Sequence, residues 1–263
     1  MEFRELRYDV QDRVATITFD RPQRMNAWTD VLEAELRAAT RQATDDPEVG
    51  AIVLTGAGRA FCAGADMRKL EAVTAGAAAE AATPPAPIRG DKYAYLLDIP
   101  KPIIAAINGA VAGVGLCLAL HCDLRFIAAG AVVTTSYARR GFVAEYGVAW
   151  LLRHQVGPLH AAELLMSGRK VAAEEAASMG LAILLPAEEF LRQVTARAAE
   201  MCASCSPRSI AVMKRQLQAV PEQSLAEAYA LAETEMIAAR GSGDFREGVA
   251  HFVEKRPPRF TGQ

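Results

Sequence analysis

Three short stretches hold the residues best suited to chemistry. Two share one form, an apolar run, a glycine-containing turn and a second apolar run: Gly58-Arg59-Ala60-Phe61-Cys62-Ala63-Gly64-Ala65-Asp66-Met67 and Asn108-Gly109-Ala110-Val111-Ala112-Gly113-Val114-Gly115-Leu116-Cys117. Small residues at 62–65 let a ligand approach the backbone closely, and Asp66 is suited to cap a helix beginning at Met67. Backbone N–H groups left free at such a turn bind an anion or a developing oxyanion, and two such turns would aim two donors at one point. Taken alone, the first stretch is equally an ordinary strand-to-helix turn. The glycine order of the second, G-x-x-x-G-x-G, is not that of a dinucleotide loop, and no acidic residue about twenty positions on marks a ribose site. The third stretch, Gly141 to Leu152, carries Glu145 as a lone carboxylate among apolar and aromatic neighbours. Buried there, its pKa would rise toward neutrality, as suits a base that must also return the proton; the alternative is a solvated loop glutamate.

The remaining candidates are weaker. Cys202 and Cys205 form a C-x-x-C without a second cysteine pair or a histidine cluster nearby, so two thiols on a helix are expected rather than a zinc or redox site. Five scattered cysteines argue against a disulfide framework. No metal and no separate cofactor is expected.

The elements that must position these stretches alternate. Val14–Phe19 is β-branched and reads as a strand, ended by Asp20-Arg21-Pro22. Thr29 or Asp30 is placed to cap a helix that aligns Leu32, Leu36 and Ala39. Ala51–Leu54, Ile103–Ile107 and Leu124–Ala128 read as further strands, and the alternation predicts an α/β layered core. Ile103–Leu120 is uncharged over roughly the length of a membrane span. Pro102, the Asn108-Gly109 turn dipeptide and Gly113 and Gly115 favour a buried strand, turn and helix instead. Residues 72–90 are low in complexity and rich in Ala and Pro, which suggests either a flap over a pocket or a plain surface loop. Beyond about residue 145 the sequence turns helical. Pro158 is expected to open a helix that Gly168 closes, and Gly180 to close the next. Ser224 with Glu227, and Asp244 with Glu247, have capping-box spacing, the Ser224–Arg240 segment has apolar spacing at Leu225, Ala228, Leu231 and Ala232, and this half reads as a packed helical appendage that suggests an oligomerisation surface.

Composition narrows the function. With 263 residues, 51% hydrophobic and 23% charged, the chain can bury a sizeable core. A net charge of −2 and 6% aromatic content give no footprint for nucleic acid. The opening MEFRELRYDV lacks an apolar signal core, so a cytoplasmic protein is expected, with no membrane partner.

Together the three stretches resemble the crotonase, or enoyl-CoA hydratase/isomerase, superfamily. Further matches are Arg21-Pro22…Asn26-Ala27, Cys122-Asp123-Leu124-Arg125, and Glu247-Gly248…Phe252-Val253-Glu254-Lys255-Arg256-Pro257, so that the likeness runs from about residue 5 to 262. It implies an α/β fold, a crotonase-like ββα spiral core over 1–195 with a C-terminal helical trimerisation region over 196–263, in trimers often paired into hexamers. It also implies an acyl-CoA substrate, coenzyme A being part of the substrate and no cofactor being needed. By position, the oxyanion hole falls on the N–H groups of Ala65 and Val114, the latter where the family usually has glycine. CoA recognition falls on Arg21, Arg24, Ala27, Ala63, Asp66, Met67 and Arg68, with Phe252 and Lys255 reaching a neighbouring subunit's CoA. Cys117, Tyr137 and Trp150 are expected to line the acyl pocket.

The departures from the family pattern bear on the reaction. Hydratases of the family hold two glutamates, at the positions of Cys117 and Tyr137. A thiol and a phenol are poor proton partners for water addition, although Cys117 near a helix N-terminus is a candidate nucleophile if its pKa is lowered. Glu145 falls where enoyl-CoA isomerases of the family place a catalytic carboxylate. One carboxylate suffices for a 1,3-proton shift, so isomerisation of an enoyl-CoA is expected. The alternatives are hydration using Glu145 alone, and a CoA-thioester binding protein with vestigial activity.

Overall fold

The computed structural model describes residues 2–66 and 92–263. The four strands expected from the sequence form where it places them, as β2 (Val14–Phe19), β3 (Ala51–Gly56), β5 (Ile103–Ile107) and β7 (Leu124–Ala128); β1 (Leu6–Gln11) and β10 (Ile183–Leu185), which the sequence reading did not place, complete one six-stranded sheet in the order β1-β2-β3-β5-β7-β10. Only β1 is antiparallel to its neighbour; every other pair is parallel. β3 and β5 are buried along their whole length, as expected of a parallel sheet covered on both faces. A second sheet stacks the short strands β4 (Ala60–Cys62), β6 (Ala110–Ala112), β8 (Val132–Thr134) and β9 (Val171–Ala172) in that order. Each turn of the chain thus adds one strand to each sheet, β3 then β4, β5 then β6, β7 then β8. This repeated step is the ββα spiral.

Helix Asp30–Asp45 begins at Thr29, whose hydroxyl accepts from Leu32 N–H at 3.0 Å, and it buries Leu32, Leu36 and Ala39 as expected. The uncharged run resolves into β5, β6 and helix Val114–Leu120. Among the described residues no helix is long and apolar enough to cross a membrane.

In the helical half, Gly157 (φ 76°, ψ 170°) breaks the span Val148–Ser167 into two helices, so Pro158 opens the helix that Gly168 (φ 54°) closes, as expected. That half departs from expectation at the cap of its last helix. Ser224 and Glu227 do form a capping box, but Asp244 and Glu247 do not. Ser242 caps that last helix, Gly243–Glu254, by accepting from Phe245 N–H at 3.0 Å. Asp244 is buried instead, gathering Ser206 Oγ and the N–H groups of Thr261 and Gly262, while Glu247 pairs with Arg256. The division expected at 195/196 falls inside helix Phe190–Ser204, whose Phe190, Val194 and Ala198 pack together with Val14 and Val53 of the first sheet.

Helix Pro207–Ala219 is tied to the core by Lys214. Its ammonium donates to Asp123 at 2.8 Å and to the carbonyls of Leu96 and Lys101, and Asp123 also accepts from Ile103 N–H. The Cys122-Asp123-Leu124-Arg125 match therefore has a structural part: Arg125 likewise donates to Leu181 and Cys122 carbonyls. Removing one partner of a buried pair leaves the other uncompensated, so Asp123→Ala is expected to cost about 3 kcal/mol, read as a lower urea midpoint. Helix Leu225–Arg240 buries no residue, and leaves Leu225, Tyr229 and Ile237 exposed.

Candidate active site

The first turn is built against the segment after β2. Asn26 is fully buried, accepts from Arg21 N–H and donates to the carbonyls of Ala57 and Ala60. Arg21 pairs with Glu5 at 3.0 Å and Asp66 at 3.2 Å and donates to Ala27 O, while Ala63 N–H donates to Met25 O. Arg21, Ala27, Ala63 and Asp66 are therefore brought together. Arg21 is engaged with protein groups, and Arg24 stands exposed on the short helix Pro22–Arg24 beside them. Met67 and Arg68, the helix expected from Met67 and the 72–90 excursion lie outside the described residues.

Ala65 forms a one-residue parallel bridge with Trp28. Trp28 N–H donates to Gly64 O at 2.8 Å and Asp66 N–H to Trp28 O at 3.2 Å. In such a bridge the flanking residues make the bonds, so the Ala65 N–H points to the opposite side. Gly64 holds φ 102°, which a residue with a Cβ rarely adopts.

The second turn follows β6. Gly113 (φ 50°, ψ −118°) precedes helix Val114–Leu120, so the Val114 N–H is among the first-turn donors with no partner inside the helix. A Cβ placed on Gly113 would lie 3.9 Å from Gly64 Cα, and one on Gly64 would lie 3.3 Å from Ala112 O. The two turns thus touch, and Asn108 locks their supports, accepting from Gly56 N–H and donating to Gly58 O.

The third stretch closes over Cys117. Tyr146 (φ 49°) and Gly147 (φ 76°) turn the chain into helix Val148–Ser167. The Cys117 thiol lies 4.0 Å from Tyr146 O and 3.9 Å from His121 Nδ1. Residues that sequence reasoning left out complete the link. The ring of Tyr93 packs edge-on to Trp28 (centroids 5.8 Å apart) and to Tyr146 (5.2 Å), joining the first turn to the third stretch. Lys92 sits 5.3 Å from the Tyr146 ring and 3.3 Å from Glu33. Lys92 and Tyr93 follow a segment without periodicity, so no pattern marks them. Trp28 adjoins a quoted motif, the one signal that could have found it.

The electrostatics separate these groups. Glu145 is exposed, the solvated of the two alternatives, yet the protein around it removes enough hydration to raise its pKa, against the pull of Lys92 and Tyr146. The Cys117 thiol is driven up, first by burial and then by Glu145. The helix N-terminus does not offset burial, so the lowered pKa a nucleophile would need is not found. Burial, with Cys117 and Glu145 adding, drives Tyr137 up as well. At neutral pH Cys117 and Tyr137 keep their protons.

Helical, sheet and turn geometry recur in proteins of known family. The enoyl-CoA hydratase/isomerase family profile matches residues 9–263. The chain belongs to the enoyl-CoA hydratase/isomerase family. A protein of Rhodobacter capsulatus named "Probable enoyl-CoA hydratase" is 38% identical over the full length of both chains, and the 1,2-epoxyphenylacetyl-CoA isomerase of Escherichia coli is 30% identical over 97% of each. A crystal structure of a probable enoyl-CoA hydratase/isomerase from Mycobacterium abscessus superposes with a TM-score of 0.85 at 35% identity, covering 98% of this chain and 99% of that one. An enzyme of this class, with the crotonase fold, is what the sequence resemblance implies. Family membership extends to the C-terminal helices, where Phe252 is exposed and Lys255 (φ 55°) ends the last helix. Neither is among the residues gathered at the two turns.

Trp150 lies in the first turn of helix Val148–Ser167, just after the turn at Tyr146 and Gly147. It is exposed, stacked on His154 at 4.1 Å, and lines a cleft of about 1170 Å³ between the core and helix Pro207–Ala219. Cys117 and Tyr137 do not line that cleft; Tyr93 and Tyr146 do, and connect it to the turns.

Proposed function

We propose that this family member isomerises the double bond of an enoyl-CoA through an enolate. The thioester oxygen accepts from the Ala65 and Val114 N–H groups. Glu145 takes a proton from Cα of a 3-enoyl thioester, the C–H electron pair passes into the enolate, and the proton returns at Cγ as the double bond moves to C2. The observation that carries this reading is the pairing of one carboxylate of raised pKa with two neighbours, Cys117 and Tyr137, that burial keeps protonated. Arg24, Met67 and Arg68 are proposed to meet the CoA moiety, with Arg21, Ala27, Ala63 and Asp66 shaping that wall. Phe252 and Lys255 are proposed to reach the CoA of a neighbouring subunit. The apolar side chains left exposed on helix Leu225–Arg240 support a trimer, whose mass sedimentation equilibrium reads directly.

A second reading, hydration through Glu145 alone, is favoured by the name of the Rhodobacter capsulatus relative. Incubation with 2-enoyl- and 3-enoyl-CoA in deuterated water separates the two. Isomerisation exchanges hydrogen without adding the mass of water, whereas hydration adds it. CoA-thioester binding with neither product would mark a vestigial binder and sink both readings.

The pH dependence follows from the same groups. The base form of Glu145 is required, so kcat/KM falls as pH drops through its pKa, and the raised pKa places that acid limb above the range of an ordinary glutamate. Burial alone would depress Lys92, but Tyr146 and Glu33 raise it, so it stays cationic and pulls Glu145 down. In Lys92→Met the acid limb is expected to move to still higher pH. A limb that stays in place or moves down would exclude Lys92 from this role.

A further inference from the structure

The cleft between the core and helix Pro207–Ala219, about 1170 Å³ in volume, is at the upper end of the range for small-molecule sites. Leu97, Leu120 and Leu151 of the core line one wall. Ile210, Met213 and Leu217 line the other, three and four residues apart on one face of the helix. Met213 is 51% exposed and Leu217 72%, although both are large and apolar. Three polar side chains that also line the cleft are engaged elsewhere. Lys214 is held by Asp123 and by the carbonyls of Leu96 and Lys101, Arg125 by the carbonyls of Leu181 and Cys122, and Gln218 donates to Leu97 O at 2.7 Å. Along these two walls the surface left for a ligand is apolar.

The cleft adjoins the proposed reacting groups. Tyr146, which lines it, directly follows Glu145, and its carbonyl oxygen lies 4.0 Å from the Cys117 thiol. Tyr93 lines it too, and its ring packs on Trp28, whose backbone bridges to Ala65. The helix-side wall continues from Ile210 to Pro221, which is roughly 16 Å at the helical rise. An extended chain advances roughly 1.2 Å per bond, so about a dozen bonds run that length. A short acyl group would leave most of the wall uncovered.

We infer that this cleft holds the acyl chain of the substrate, and that the substrate class is a long apolar acyl thioester, of about a dozen carbons, rather than a short or polar one. The inference rests on the acyl-CoA reading above and names the chain within it. Met213 and Leu217 then act as specificity-determining residues, contributed by a helix outside the ββα spiral.

Binding of saturated thioesters tests this without depending on turnover. Butyryl-CoA and dodecanoyl-CoA would be titrated calorimetrically into the full-length protein. Each methylene moved from water onto an apolar wall is worth up to about fourfold in affinity, so burying only two or three of the eight added methylenes makes dodecanoyl-CoA bind about thirtyfold or more tighter. The double substitution of Met213→Asp with Leu217→Asp puts charge on the helix wall at exposed positions. It should bring that preference below about tenfold, at unchanged mass by sedimentation equilibrium. A preference under about thirtyfold in the unaltered protein, or one that stays above about tenfold in the double variant, overturns the inference. So does a loss of preference accompanied by a change in mass, which would assign this face to a second copy of the chain. In each of these cases butyryl-CoA binding leaves the acyl-CoA reading standing, whereas failure of both thioesters to bind overturns both.

Discussion

Glu145→Gln is expected to lower turnover by about a hundred- to ten-thousandfold while CoA-thioester affinity is retained. The amide keeps the shape of the carboxylate and removes its basicity. Neighbours offer no substitute, because burial holds Cys117 and Tyr137 protonated at neutral pH. Cys117→Ala is the paired control and should change turnover little, since the thiol is buried in the core and, among the described residues, its polar neighbours are Tyr146 O and His121 Nδ1. Steady-state rates on a 3-enoyl-CoA, with calorimetric affinity for a saturated thioester, give both quantities. A dead Cys117→Ala with an active Glu145→Gln would move the mechanism to thiol chemistry. Two active variants would mean that the proton passes through some other group.

Ala65→Pro should cost about a hundredfold or more in kcat, the typical consequence of losing one oxyanion donor. Proline removes the N–H, while the bonds that hold the turn, Trp28 N–H to Gly64 O and Asp66 N–H to Trp28 O, involve the flanking residues. A folded Ala65→Pro protein, verified by an unchanged melting curve, that turns over at the original rate would remove Ala65 from the oxyanion hole. The second donor is not testable in the same way at Val114, where proline would sit at the first position of a helix. There its missing N–H is the same one the oxyanion hole needs, but its ring would also reshape the entrance beside Gly113.

The strands and the helix Asp30–Asp45 were legible because their signals are local. β-branched runs, the Thr29 cap and the Leu32–Leu36–Ala39 spacing act over a few residues. The two glycine turns were legible for the same reason, since Gly64 and Gly113 hold backbone angles that few other residues adopt. Capping was legible only where competition was absent. Ser224–Glu227 closed its box, whereas Asp244 found better partners in Thr261, Gly262 and Ser206 and left the cap to Ser242. Spacing alone carries no record of such distant partners.

By itself, then, the order of residues determined the alternating elements, the two turns with their backbone donors, the lone carboxylate and, through the motif matches, the family. Tertiary structure decided which groups share one environment. Trp28, Lys92 and Tyr93 meet Tyr146 and the first turn through ring packing across the fold, and Lys92, Tyr93, Tyr146 and Trp150 line one cleft. It decided the proton inventory too: Cys117 becomes a buried, protonated thiol and Glu145 an exposed carboxylate of raised pKa. The physical reason is range. Backbone propensity and capping depend on neighbours in sequence, whereas burial, desolvation and side-chain packing depend on neighbours in space, which the chain acquires only when its spiral closes.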